Sequence, residues 1–131
     1  MDKVVHFEIP FDDKKRAHDF YSKVFGWKLQ DIPEMDYTIA RTTEVDAKMM
    51  PLKTRAINGG MFKRVEGMSK TPVLVINVNN IDESLKHIEK SGGKLFSQKR
   101  NVGNMGLYAL VKDTEGNIIG VWESLPAHNN K

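Results

Sequence analysis

Few side chains in this sequence can do acid–base or metal chemistry. There are four histidines, His6, His18, His87 and His128, and no cysteine. Without cysteine there is no disulfide, no thiolate ligand for zinc or iron–sulfur, and no thiol nucleophile. His6 stands apart because it falls in Val4-Val5-His6-Phe7-Glu8-Ile9-Pro10, which reads as a strand. Side chains two apart on a strand share a face, so Glu8 accompanies His6. An imidazole that titrates near neutrality, oriented or charged by a carboxylate, has the means to act as a general base. His6 and Glu8 are therefore the candidate catalytic residues. The competing reading is a histidine satisfied by backbone or by Glu8, with no chemistry. His18 and His87 fall in helical segments among charged neighbours and His128 falls in the C-terminal tail, so all three are expected at the surface.

The elements that position these residues come from an internal repeat. After the first strand, Asp12 and Asp13 are candidate N-caps. Ala17, Phe20, Tyr21, Val24 and Phe25 then recur at helical spacing and predict one apolar face. Gly26 ends that helix and Trp27-Lys28-Leu29 opens another strand. The layout returns 67 residues later: strand 72–78, cap at Asn80 or Asp82, helix face Ile81, Leu85 and Ile88, glycines Gly92 and Gly93, strand from Lys94. Tyr37–Arg41 and Leu107–Val111 supply the third strand of each half. Residues 58–62 and 118–122 supply the fourth, the latter after a turn at Asp113-Thr-Glu-Gly116-Asn117. Each half reads β-α-β-β-β. Module one spans about 3–63 and module two about 72–124, in a single domain over 1–131 with a tail at 125–131.

This pattern resembles the vicinal oxygen chelate superfamily of glyoxalase I, bleomycin-resistance proteins and extradiol dioxygenases. The resemblance covers residues 3–124. It rests on the opening His6, on Asp19-Phe20-Tyr21-Ser22-Lys23-Val24-Phe25-Gly26-Trp27, and on Asp113-x-x-Gly116-Asn117. Asn58-Gly59-Gly60-Met61 and Trp122-Glu123 look most like its uncharacterised glyoxalase-like branch. The resemblance implies an α+β fold: paired βαβββ modules in a curved, mainly antiparallel sheet. It also implies a cavity, a homodimer and, in enzymatic members, a divalent metal held by the first and last strands of each module.

Carried onto this chain, those ligand positions are His6, Gly60 (or Gly59 with a slip of one), Val73 and Gly120. A catalytic zinc takes three protein ligands and a harder ion needs several oxygens, so one imidazole is too few. No metal and no cofactor are therefore expected. His6 is the one weak metal candidate, with Glu8 as a possible companion. Glycines at ligand positions leave two readings open: room for a substrate to approach the backbone, or tight sheet packing. The expected ligand-binding residues are His6, Glu8, Gly60, Val73, Val75, Asn77, Tyr108, Gly120 and Trp122. They would make an apolar floor with one polar spot and an aromatic wall, suited to a small apolar or aromatic molecule. Tyr37 and Tyr108 correspond between the modules, and one is expected to line the cavity while the other packs a helix.

The 131 residues carry 20 Lys and Arg against 17 Asp and Glu, a net charge of +3. The basic runs Lys14-Lys15-Arg16 and Lys99-Arg100 lack interleaved aromatics and read as solvated surface, so no nucleic-acid partner is expected. No apolar run approaches a membrane span, and the chain opens on strand rather than on a signal peptide, so a cytoplasmic protein is expected. Nucleophile-elbow, phosphate-loop and dinucleotide fingerprints are missing. The leading expectation is metal-independent binding of a small molecule. The alternatives are a metal-dependent lyase, isomerase or dioxygenase built on His6, and a structural or regulatory dimer with a vestigial cavity.

Overall fold

The computed structural model describes residues 1–126. The first half folds as β1 (Lys3–Phe11), α1 (Lys14–Phe25), β2 (Lys28–Ile32), β3 (Tyr37–Arg41) and β4 (Gly59–Lys63), with a short 3₁₀ turn at Pro33–Met35. The second half repeats it as β5 (Val73–Asn77), α2 (Ile81–Lys90), β6 (Lys94–Val102), β7 (Gly106–Lys112) and β8 (Ile118–Ser124). The described residues divide into two compact units, residues 5–72 and residues 1–4 with 73–126. The fold is mixed α+β, as the family resemblance implies.

Within module one the strand order is β2-β3-β4-β1, with β1 and β4 parallel and the other neighbours antiparallel. Within module two it is β5-β8-β7-β6, again with a single parallel pair, β5 and β8. The helix returns the chain after the first strand, and two antiparallel steps then bring the fourth strand beside the first. This is how residues from opposite ends of a module become neighbours.

The helix ends follow local chemistry. Asp13 caps α1 by accepting the Arg16 N–H at 2.9 Å, and Gly26 closes it with a left-handed φ of 71°. Asn80, not Asp82, caps α2 through the Glu83 N–H at 3.0 Å. Glu123 on β8 accepts the Ile81 N–H at 2.8 Å, a second donor of the same end. The Asp113 turn is held by its own carboxylate, which accepts from the Glu115 and Asn117 backbones at 2.8 and 2.9 Å. Gly116 supplies the φ of 84° that the turn requires.

Each sheet has one face under its helix. In module one Phe7, Ile9, Phe11, Ala40 and Met61 pack with Ala17 and Tyr21 of α1. In module two Val78, Ile81, Ala109, Val111 and Val121 pack with Leu85 and Ile88 of α2. The predicted face of α1 is corrected in part. Ala17 and Tyr21 pack, but Phe20, Val24 and Phe25 are more than half exposed. His18, expected at the surface, is half-buried. Its Nε2 lies 2.8 Å from Oγ1 of the fully buried Thr38, and its ring meets Phe11 edge-on. The helix is therefore rotated so that Ala17, His18 and Tyr21 meet the sheet. His87 is exposed as expected, and His128 lies outside the described residues.

Candidate functional site

Strand alternation carries His6 and Glu8 to the face of module one opposite α1, because Phe7, Ile9 and Phe11 take the helix side. By the same alternation Tyr37, Ile39 and Arg41 of β3, and Gly60 and Phe62 of β4, share that helix-free face. Register then sets neighbours: Glu8 is beside Gly60, and Gly60 is beside Ile39. His6 is half-buried, and its Nε2 lies 2.9 Å from the Tyr37 hydroxyl. Either group can donate, depending on which imidazole nitrogen holds the proton. Burial pushes the His6 imidazole below its ordinary pKa of 6.5, against a smaller opposing pull from Glu8. Burial thus favours the uncharged ring, and the His6–Tyr37 pair offers a directional polar contact.

Tyr37 also accounts for Gly60. A Cβ built at Gly60 falls on the Tyr37 hydroxyl and ring. Module two repeats the device: a Cβ at Gly120 would come within 2.7 Å of the Tyr108 hydroxyl. The registers match as well. Gly60 pairs with Ile39 and Gly120 with Leu110, and each tyrosine stands two residues before that partner. A glycine leaves the sheet surface bare, and a diagonal aromatic covers it. The two readings of these glycines therefore resolve toward packing. Both tyrosines take the helix-free face, so the expectation that one packs a helix is corrected.

On module two, Val73, Val75 and Tyr108 form a buried cluster with Leu110, and Trp122 packs against it. Gly120 is buried beneath Tyr108, and Asn77 is half-buried at the end of β5. The ring of Trp122 covers Gly106, and its Nε1–H donates to Ser124 Oγ at 3.0 Å. The nine predicted lining residues thus divide by module. His6, Glu8 and Gly60 lie on one helix-free face, and the other six on the corresponding face of module two. Tyr37 is not among the expected lining residues, although its correspondence with Tyr108 is the signal that points to it. A shallow groove bounded by Phe11, Asp12, Arg16, Phe20 and Arg64 lies on the helix side of module one, away from His6.

The donor set does not fit the metal that the fold's enzymatic members hold. Gly60, Val73 and Gly120 have no donor atoms, and a tyrosine stands over each of the two glycines. No group of three or more His, Cys, Asp or Glu able to hold an ion occurs among the described residues.

The repeat, the paired strand topology and the helix-free faces define a glyoxalase-type fold. The chain belongs to the glyoxalase/bleomycin resistance/dioxygenase superfamily. Residues 3–42 match the family described as bleomycin resistance protein-like N-terminal. A glyoxylase-like domain-containing protein of Didymella fabae is 31% identical over 115 residues, covering 84% of each chain. A lactoylglutathione lyase of Escherichia coli O157:H7 is 27% identical over 132 residues, covering 95% of each. The solved structure of a glyoxalase/bleomycin resistance protein/dioxygenase superfamily member from Vibrio splendidus 12B01 shares the fold. Its TM-score is 0.63 at 11% identity, over 95% of this chain and 100% of that one.

Proposed function

We propose that this protein binds a small molecule with an apolar or aromatic body, without a metal, and that His6 and Glu8 give the ligand its polar anchor. The observation that carries the reading is the Tyr37 hydroxyl. It is bonded to the one family-position imidazole and stands over Gly60, where a metal-binding relative would need a donor. A neutral imidazole, a phenol and a carboxylate on a half-buried face suit hydrogen bonding to a ligand's polar edge. On module two, Asn77 and Trp122 are the more accessible members of the predicted lining. The homodimer and the cytoplasmic setting remain part of this proposal, and light scattering of the purified protein reports the former.

The test joins metal analysis to ligand screening. Protein purified without chelator is expected to carry no stoichiometric divalent ion, and a compound library is expected to yield aromatic ligands that raise its Tm. A ligand at one hundred times its Kd stabilises by about 2.7 kcal/mol, well within reach of a thermal scan. His6→Ala should remove most of that rise. A stoichiometric ion lost in His6→Ala would overturn the reading. It would favour instead a metal-dependent enzyme built on His6; lyase is the activity named for the Escherichia coli relative.

A further inference from the structure

We infer that the helix-free face of module one recognises a small carboxylate or phosphate group through Arg41, with Lys28 and Asn58 assisting. Arg41 ends β3, and alternation puts it on the same face as Tyr37 and Ile39. Its Nε is the one buried side-chain nitrogen or oxygen among the described residues that has no hydrogen-bond partner. An unmet donor on a charged group is costly, and native structures rarely keep one without a use. The ion pairs of the described residues join Lys14 to Asp31, Lys15 to Asp19, Arg64 to Asp12 and Lys99 to Asp82; none includes Arg41.

Two neighbours sharpen the point. Lys28 lies directly opposite Arg41 in the β2–β3 register. Like charges directly opposite repel, so this corner of the sheet is not arranged for stability alone. Asn58 immediately precedes β4. Its Oδ1 accepts the backbone N–H groups of Thr42 and Thr43 at 2.8 and 3.0 Å, which pins the chain just after Arg41. The Asn58 amide nitrogen has no acceptor among the described residues. Glu8, the carboxylate of this face, stands on β1, separated from β3 by β4. The corner therefore gathers two cations and an amide donor, and no ion pair among the described residues includes either cation. A guanidinium fork matches a carboxylate or phosphate in two parallel hydrogen bonds. Arg41 is half-buried, which suits a small anionic group better than an acidic protein surface. Ile39 and Tyr37 on the same strand would meet the ligand's apolar body.

The inference rests on the proposed use of this face for ligand binding and narrows the ligand to an apolar body with an anionic end. Calorimetric titration with 2-naphthoate, 2-naphthyl phosphate and the neutral 2-naphthamide tests it. The native protein should bind at least one anion about tenfold to a hundredfold more tightly than the amide, and the preferred one names the group. Arg41→Gln should reduce anion affinity to the level of the amide and leave amide binding unchanged, which also shows that the variant folds. Arg41→Lys should fall between, and Lys28→Gln should cost a few-fold. Equal affinity for the amide and both anions, or an anion preference that survives Arg41→Gln, overturns the inference while leaving the ligand-binding reading intact. Failure of all three probes to bind overturns both.

Discussion

A methyl group at position 60 would share space with the Tyr37 hydroxyl, which is itself bonded to His6. Gly60→Ala must therefore displace Tyr37, break the His6 contact, or both. Overpacking of this kind costs about 1–3 kcal/mol. The diagnostic is coupling. In a Tyr37→Ala background the obstruction is gone and Gly60→Ala should cost much less. Urea unfolding of the double-mutant cycle should give an interaction energy of about 0.5–3 kcal/mol. Additive effects would show that the tyrosine is not what the glycine makes room for. Gly120 and Tyr108 should behave alike in module two. The family resemblance placed glycines where ligands would stand, but could not say what filled the space. A tyrosine reaching diagonally across strands depends on register, and Tyr37 lies 23 residues from Gly60 along the chain.

At the scale of elements, legibility follows how local each signal is. The Asp13 and Gly26 caps, the turn at Asp113–Asn117 and the two-fold strand layout are short-range, and each was readable from spacing. The orientation of α1 was not. Its apolar positions describe a broad stripe, and the sheet takes only part of it because His18 bonds Thr38 and draws the helix round. That contact joins residues on two elements, and a charged local sequence gave no hint of it. The helices also differ in their ends. Asn80 and Glu123 satisfy two N-terminal donors of α2, whereas α1 has Asp13 and no acidic residue in its first turn. Asp13→Ala should cost about 1 kcal/mol, the usual value of a side-chain cap. Asn80→Ala should cost a similar amount, and Glu123→Ala should add to it rather than replace it, since each side chain meets a different N–H. Thermal unfolding followed by circular dichroism of the single and double variants measures this. A double variant no worse than Asn80→Ala would mean that Glu123 contributes nothing to the cap.

For the molecule as a whole, the two half-buried histidines predict how stability responds to acid. Burial is the first cause of a lowered pKa at both His6 and His18. As pH falls through their ordinary value of 6.5, the unfolded chain takes up protons that the folded chain resists. The unfolded state then binds more protons, so stability rises with pH across this window and is complete above it. The surface carboxylates act lower down. Asp19 is held below its ordinary 3.8 by Lys15, and Asp113 by Asn117. Their contributions are present above 3.8 and are lost as pH falls further. Urea midpoints measured at steps between pH 8 and pH 5 should therefore decline toward the acid side while these carboxylates stay ionised. His6→Gln and His18→Gln should each flatten the decline, and together they should abolish most of it. An unchanged slope in the double variant would place the titrating groups elsewhere. The outcome bears on function, because a ligand that bonds the neutral His6 ring should protect the fold least where that ring is forced to charge. Ligand-induced stabilisation should thus weaken on the same acid limb in the native protein, and the His18→Gln variant should keep that weakening.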